Sequence, residues 1–250
     1  MLKFNSRIPA AFFLIIIVCS SCVSGQLGKN NSGEYYNGMV VSANPLATKV
    51  GLDILKKGGN AVDAAVAVQF ALAVVFPNAG NIGGGGFMVY RSARGETSTL
   101  DFREKAPAAS QRDMYLDSAG NAITDKSLYG HLAVGVPGSV DGMVKAHQKY
   151  GKLSWEEVLQ PSINLARNGV ALTQKQANEL NANSKEFIKF NPGKEYFVKP
   201  EWMADDKLVQ EDLAKTLELI RDKGREGFYA GTVADLIVSE MKSGGGLISK

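Results

Sequence analysis

The spacing of apolar residues after Asn44 predicts a first helix. Leu46, Val50 and Ile54 recur at intervals of four, which places them on one helical face. Asn44 suits the N-cap position, and a proline follows it at the first helical position. Gly58 comes after two lysines and suits the end of the helix.

A second helix is predicted directly behind the first. Asn60 has the right spacing to cap the N–H of Asp63, whose carboxylate would lie in the first turn. Residues 64–75 are apolar on every face except at Gln69. Such a helix is buried, so we predict a central core helix beneath a sheet. About a dozen apolar residues are too few for a membrane span, which needs about twenty.

Residues 87–90 and 97–103 have the composition of two β-strands. A polar turn that contains Gly95 separates them, which predicts an antiparallel hairpin. Alternation along the second strand places Phe102 and Arg103 on opposite faces.

Four consecutive glycines, residues 83–86, precede this hairpin. Glycine loses more conformational freedom on folding than any other residue, so such a run is costly to order. It would serve a backbone that turns through positive φ or presses against another backbone. A phosphate-binding loop is a poor match because its Gly-Lys-Ser/Thr ending is absent and a strand, not a helix, follows. We therefore predict a close backbone crossing near a buried site, and no nucleotide.

The second half of the chain is predicted to be mainly helical. Ser154 and Glu157 have capping-box spacing, and Pro161 is either the stop of that helix or the first residue of another. Further helices are predicted over residues 139–149, 173–190, 208–223 and 232–242, with Ser139 and Thr173 as caps for the first two.

Composition narrows the functional class only slightly. Of the 250 residues, 45% are hydrophobic and 21% are charged, which excludes a disordered chain and a multi-span membrane protein. The formal net charge is +3 and no basic stripe occurs, so nucleic acid is not an expected partner.

Residues 1–22 have the pattern of an export signal. Two basic residues precede an apolar run at residues 9–18, and small residues stand before Cys22. This ending resembles a bacterial lipoprotein processing site, at which Cys22 would carry the lipid; the alternative is ordinary cleavage near Gly25. Residues 23–38 are rich in Ser, Gly and Asn and are predicted to be a flexible tether. We expect an exported protein of the bacterial periplasm or cell envelope, lipid-anchored if Cys22 is modified.

Cysteine and histidine offer little chemistry outside the leader. Both cysteines precede residue 23, so residues 39–250 contain neither a disulfide nor a thiolate metal ligand. His131 and His147 do not have the spacing of zinc ligands, and no metal or cofactor is predicted. His147 is expected to be solvated. His131 could act as a base, but no serine or cysteine motif accompanies it.

Arg103 is the candidate binding residue. A guanidinium at the end of a strand offers a fork of donors that matches a carboxylate. The alternative is a surface arginine paired with Asp101 or Glu104.

Four motifs in fixed order resemble the large subunit of the gamma-glutamyltranspeptidases, also called glutathione hydrolases. They are NPLA at 44–47, GGNAVDAAVA at 58–67, GNIGGGGFM at 80–88 and DFREKAP at 101–107. The resemblance implies that residues 39–250 are a partial large-subunit domain of an α+β chain. The implied fold is part of a four-layered αββα N-terminal-nucleophile hydrolase sandwich. It also implies that Arg103 grips the α-carboxylate of a γ-glutamyl donor such as glutathione.

The same resemblance implies an activity that residues 39–250 do not complete. Members of the family are precursors that cleave themselves, and the exposed N-terminal threonine of the small subunit then attacks the donor. No threonine here has the matching context, so no catalytic residue is assigned and this portion alone is expected to be inactive. The expected acceptors are water or an amino acid, and the missing small subunit is the expected protein partner. Two alternatives remain: an acylase for cephalosporins or poly-γ-glutamate, and a non-catalytic envelope protein on the same scaffold.

Overall fold

Asparagine caps start the first two helices of the structure, a computed structural model that describes residues 37–191 and 196–250. Helix α1 is Pro45–Lys56, and the side chain of Asn44 accepts a hydrogen bond from the N–H of Leu46 at 2.9 Å. Gly58 follows with a φ of 92°, a conformation that glycine adopts without steric cost. The first predicted helix is confirmed, including its cap and its end.

Helix α2, Ala61–Val75, begins with a capping box between Asn60 and Asp63. The Asn60 side chain accepts from the N–H of Asp63 at 3.0 Å, and the Asp63 carboxylate accepts from the N–H of Asn60 at 2.8 Å. The carboxylate is fully buried and also accepts hydrogen bonds from the N–H groups of Lys152 and Leu153. Main-chain donors therefore satisfy this buried charge and join the start of α2 to a distant loop.

The predicted hairpin is present. Strands β1, Phe87–Arg91, and β2, Thr97–Asp101, pair antiparallel in a register that joins the first residue of β1 to the last residue of β2. The connecting turn contains Gly95 at a φ of 88°. Strand β2 ends earlier than predicted, so Arg103 follows the strand instead of lying within it.

The other elements are mostly helices. They are α3 (Thr124–Leu128), a 3-10 turn (His131–Ala133), α4 (Ser139–Tyr150), α5 (Trp155–Asn168), β3 (Val170–Ala171), α6 (Gln174–Ala182), α7 (Ser184–Phe190), β4 (Lys207–Leu208), α8 (Glu211–Lys223), α9 (Glu226–Tyr229) and α10 (Gly231–Ser243). Strands β3 and β4 pair antiparallel. The predicted mixture of helices and strands is confirmed.

Helix α2 is the centre of the hydrophobic core. Eleven of its 15 residues are buried, which confirms the predicted core helix. The other four, Ala61, Ala65, Gln69 and Leu72, are exposed or half-buried and form one stripe along the helix. Its main neighbours among the described residues are α1, α4 and α5, and α5 packs in turn against α8. The inward face of the hairpin contacts the same core through Met88, Tyr90 and Leu100. The outward face is left in solvent.

Helix α5 corrects one boundary prediction. Pro161 neither stops nor starts a helix but lies inside α5, where it removes one hydrogen bond and costs about 3 kcal/mol. The flanking residues Val158, Leu159 and Ile163 are buried in the core. Burying such side chains contributes about 2 kcal/mol each, which outweighs the cost of the proline.

Other boundaries also differ from the predictions. Ser139 is the first residue of α4 and does not cap it, because the helix begins one residue earlier than predicted: Gly138 takes the N-cap position and its carbonyl accepts from the N–H of Gly142 at 2.9 Å. The helix predicted over 173–190 divides at Asn183 into α6 and α7, although the predicted cap at Thr173 is present. Helix α8 begins at Glu211 because the residues before it form β4.

The predicted leader at residues 1–22, with Cys22, lies outside the described residues, as does the tether except for its last two residues. Met39–Lys250 forms one compact unit. Within residues 37–191 and 196–250, no helix combines the length and the apolar character that crossing a membrane requires.

Candidate substrate-binding site

Arg103 lies just beyond the end of β2 with its side chain exposed. Its main-chain N–H donates to Asp101 Oδ1 at 2.9 Å, which turns the chain out of the hairpin. Within residues 37–191 and 196–250 the guanidinium has no ion pair and no hydrogen bond. The alternative of a surface pair with Asp101 or Glu104 is therefore not realised, and all donors of the guanidinium face solvent.

The glycine run forms a floor beneath the main chain of Arg103. A Cβ atom on Gly85 would lie 2.7 Å from the Cα of Arg103 and 2.5 Å from the N of Glu104, closer than real Cβ contacts come. Gly86 lies in the same way against the ring of Phe102, and its carbonyl accepts from the N–H of Phe102 at 3.0 Å. None of the four glycines has a left-handed φ. A close backbone crossing, one of the two predicted uses of the run, is therefore present at Gly85.

A second turn holds the same strand end. The N–H groups of Gly138 and Ser139 donate to the carbonyl of Gly84 at 2.8 and 2.9 Å. Gly138 leaves no space for a Cβ atom because the carbonyl oxygen of Phe102 occupies it. Lys105 and Val136 exchange two main-chain hydrogen bonds, of 3.1 and 2.7 Å. The main chain on both sides of Arg103 is therefore fixed to two other segments.

A cavity of about 270 Å³ adjoins this crossing. Gly84 and Gly85 form part of its wall, and Asn81 stands at its edge with its side-chain oxygen on the N–H of Gly84. The remaining lining residues come from the chain just before α1, helix α2, the loop after it and helix α4: Ala43, Gln69, Leu72, Phe76, Ala79, Gly80 and Ser139. The cavity thus reaches Gly85, against which the main chain of Arg103 packs, although Arg103 itself is not one of its lining residues.

Large apolar side chains are exposed on the hairpin and on residues 39–41, which precede α1. Phe87 and Val89, on the outward face of β1, are 65% and 83% exposed. Met39 and Val41 are exposed to a similar extent. Large apolar side chains this exposed are uncommon unless another protein segment covers them.

A cluster that the sequence patterns did not indicate lies behind the second turn. The hydroxyl of Tyr229 donates to the carbonyl of Pro137 at 2.9 Å and accepts from the N–H of Asp141 at 3.3 Å. Arg225 Nε donates to Asp141 Oδ1 at 2.9 Å, and its guanidinium lies 4.7 Å from the Tyr229 ring centre. No local signal marks this cluster, because 84 to 92 residues separate its members.

Three pKa values in this cluster are displaced. Burial acts to lower the pKa of Arg225, but its hydrogen bond to Asp141 and the charge of that carboxylate outweigh burial and raise it. Burial raises the pKa of Tyr229, so its hydroxyl stays protonated over a wider range and remains a donor. Burial also acts to raise the pKa of Asp141, but hydrogen bonds from Lys145 and Arg225 outweigh it and lower that pKa.

The two histidines are not part of this site. His147 is largely buried, with Nε2 3.0 Å from the carbonyl oxygen of Leu153 and 3.5 Å from Asp63 Oδ1. The prediction of a solvated His147 is wrong, because Trp155 and Asp63 enclose it. His131 is paired with Glu240 at 3.0 Å. Over the described segments, no three His, Cys, Asp or Glu side chains converge as a metal site.

Comparison with known proteins gives a consistent result. The family model described as Gamma-glutamyltranspeptidase matches residues 47–250. A glutathione hydrolase proenzyme of Pseudomonas sp. (strain A14) is 52% identical over 217 residues, which cover 86% of this chain and 38% of that protein. The chain thus spans well under half the length of this relative.

Solved structures agree with the sequence comparison. The crystal structure of Helicobacter pylori gamma-glutamyltranspeptidase matches with a TM-score of 0.83 at 48% identity, over 86% of this chain and 62% of that chain. A cephalosporin acylase from Bacillus halodurans matches with a TM-score of 0.72 at 28% identity, over 85% of this chain and 41% of that chain. The acylase is the more distant of the two.

Proposed function

The chain belongs to the gamma-glutamyltranspeptidase family, and from that premise we propose that its complete precursor transfers γ-glutamyl groups. The donor is glutathione or another γ-glutamyl compound, and the acceptor is water or an amino acid. The attacking group is an N-terminal threonine that the precursor exposes by cleaving itself. Relatives that are glutathione hydrolase proenzymes support both the donor and the precursor.

In this proposal Arg103 binds the α-carboxylate of the donor. The observation that carries it is a guanidinium without a partner among the described residues, on a main chain that Gly85 and Gly138 hold in place. A planar guanidinium forms two parallel hydrogen bonds with a carboxylate, which fixes the orientation of the donor as well as binding it. The side chain is exposed, so a donor can reach the guanidinium from solvent.

The remainder of the precursor completes the fold. We propose that it covers the apolar surface formed by Met39, Val41, Phe87 and Val89 and adds strands to the hairpin, giving the four-layered αββα sandwich. Without that cover, the exposed strand edges and apolar side chains favour association between copies. The portion described here is therefore expected to be inactive and to aggregate when it is expressed alone.

The second candidate is a related acylase that acts on cephalosporins or poly-γ-glutamate. The likeness to the Bacillus halodurans acylase supports it, at lower identity than the gamma-glutamyltranspeptidases. Measuring turnover with γ-glutamyl amides, cephalosporins and poly-γ-glutamate separates these candidates. A non-catalytic scaffold, the remaining alternative, predicts a precursor that neither cleaves itself nor turns over any of the three.

The test uses the complete precursor and its Arg103→Ala variant. The wild-type precursor is expected to cleave itself, to expose a threonine identifiable by mass spectrometry, and to hydrolyse γ-glutamyl-p-nitroanilide. Losing a hydrogen-bonded charge pair costs about 2–5 kcal/mol, so Arg103→Ala is expected to raise KM for this donor by at least about thirtyfold.

Arg94→Ala is the matched control, because Arg94 is also an exposed arginine of the hairpin and lies in its turn. It is expected to leave KM unchanged. An Arg103→Ala enzyme with the KM of the wild type would remove Arg103 from the donor site. An intact precursor without self-cleavage would contradict the proposed mechanism itself.

We also propose that the protein is exported and that Cys22 carries a lipid anchor. The signal pattern of residues 1–22 and the small residues before Cys22 support this. Cys22→Ser is expected to move the protein from the membrane fraction to the soluble fraction. Mass spectrometry of a mature N-terminus near Gly25 would instead favour ordinary signal cleavage.

A further inference from the structure

The turn at residues 136–139 is one of the two supports of the Arg103 main chain. Gly138 fits directly against the carbonyl of Phe102, the residue before Arg103. Val136 is paired with Lys105, two residues after Arg103. A displacement of this turn therefore displaces the main chain from which the Arg103 guanidinium projects.

Tyr229 fastens this turn to the helix that follows it. Its single hydroxyl donates to the carbonyl of Pro137, within the turn, and accepts from the N–H of Asp141, in the first turn of α4. Arg225 binds the side chain of Asp141 and covers the ring of Tyr229. No other side chain in the described segments hydrogen-bonds to Pro137.

The hydroxyl is held on a rigid element. Gly227 in α9 leaves no space for a side chain because the carbonyl of Leu219 in α8 lies against it. Phe228, next to Tyr229, is buried in the hydrophobic core. Helix α8 packs against α5, which packs against the central helix α2. Tyr229 thus connects the turn beneath the strand end to the core.

From these contacts we infer that Tyr229 is a positioning residue for donor binding: its hydroxyl holds the turn that places the Arg103 guanidinium. The inference rests on the proposed role of Arg103 at the donor carboxylate. Tyr229 does not touch the donor in this account. Its removal leaves the guanidinium charged and present, but less well placed for two parallel hydrogen bonds to a carboxylate.

The test is Tyr229→Phe in the complete precursor, which removes the hydroxyl and keeps the ring. KM for γ-glutamyl-p-nitroanilide is expected to rise about three- to tenfold, the usual effect of losing one hydrogen bond, while kcat stays within about twofold. The analogue 4-aminobutanoyl-p-nitroanilide lacks the α-carboxylate, so its kcat/KM is expected not to change. Tyr115→Phe is the matched control, since Tyr115 also donates to a carbonyl, that of Leu132 at 3.2 Å, without contacting Gly138 or Arg103.

The Arg103→Ala background separates the inference from the proposed function. If Tyr229 acts through Arg103, Tyr229→Phe lowers kcat/KM in the wild type and has no effect in Arg103→Ala. If Arg103→Ala alone leaves KM unchanged, the proposed role of Arg103 fails and the inference fails with it. If Arg103→Ala raises KM but Tyr229→Phe acts equally in both backgrounds, or on both donors, only the inference is overturned.

A second variant applies if Tyr229→Phe does not fold. Arg225→Gln keeps the hydroxyl but removes the ion pair with Asp141 and the contact with the ring. It is expected to raise KM by a smaller factor that again depends on Arg103. An effect that is the same with and without Arg103 would overturn the inference.

Discussion

Two glycines of the same run test whether close packing against the main chain of Arg103 requires glycine. A Cβ atom on Gly85 would lie 2.5 Å from the N of Glu104 and 2.7 Å from the Cα of Arg103. A Cβ atom on Gly83 would meet nothing closer than the side-chain oxygen of Asn81, at 3.7 Å. The change to alanine is chemically identical at the two positions, and only the space around them differs.

The magnitude follows from these distances. Ordinary contacts begin at 3.4 Å, so Gly85→Ala has to move the two backbones apart by about an ångström. Overpacking of this kind costs about 1–3 kcal/mol, and a misplacement of about 1 Å at a substrate-positioning group lowers activity by up to about a hundredfold. Gly83→Ala fits without strain and restricts the unfolded chain, so it is expected to be neutral or to stabilise by up to about 1 kcal/mol.

The assay compares both variants as complete precursors, by thermal unfolding and by kinetics with γ-glutamyl-p-nitroanilide. Gly85→Ala is expected to lower Tm by several degrees and to lower kcat/KM about ten- to hundredfold. Gly83→Ala is expected to have the wild-type kcat/KM and a Tm equal to that of the wild type or a few degrees higher. Equal behaviour of the two variants would refute the close crossing as the reason for the glycines.

Two further predictions concern buried and paired carboxylates. The buried carboxylate of Asp63 accepts hydrogen bonds from three main-chain N–H groups, and Asp63→Asn leaves only one acceptor oxygen for them. The free energy of unfolding is therefore expected to fall by about 2–4 kcal/mol, with a lower Tm. The control is Asp53→Asn at an exposed position, which is expected to change Tm little. The pKa of Asp141 is lowered in the folded state, so its contribution to stability is present above an unfolded pKa of about 3.9 and is lost as pH falls through the folded pKa. Asp141→Asn should therefore reduce the acid loss of unfolding free energy below about pH 4 by less than about 1 kcal/mol, which is measured as a shallower fall in Tm with falling pH. An unchanged dependence of Tm on pH in this range would contradict the pairing of Asp141 with Lys145 and Arg225.

The sequence was sufficient wherever neighbouring residues determine the structure. The caps at Asn44 and Asn60, the capping boxes at Ser154 and Thr173 and the hairpin turn at Gly95 each depend on residues at most four positions apart. Side-chain acceptors and free N–H groups meet there without help from the rest of the fold. Arg103 was selected from a predicted strand end and a motif, and its role at the donor carboxylate stays a prediction.

Contacts distant in sequence determine what the patterns missed. His147 has polar neighbours on its own helix and was expected in solvent, but Asp63 lies 84 positions earlier and Trp155 covers the ring. Pro161 stays inside α5 because the core buries the residues around it. The hydroxyl of Tyr229 hydrogen-bonds to a main-chain carbonyl and a main-chain N–H about 90 positions earlier, and no side-chain pattern reveals such partners.

The main chain of Arg103 is fixed, whereas its guanidinium is free to bind a ligand. Its main chain is fixed by hydrogen bonds and by glycines that leave no space, while its guanidinium has no partner within the described segments. Ordering a free arginine side chain costs about 2 kcal/mol, and the rigid main chain reduces the freedom that remains to be lost when a carboxylate binds. On the proposed function, a donor carboxylate gains two hydrogen bonds to this guanidinium. If those bonds have the same strength before and during reaction, they lower KM and leave kcat nearly unchanged. On the proposed function, substitutions at Arg103 and Tyr229 therefore change mainly KM, and kcat is set by the part of the precursor that carries the threonine.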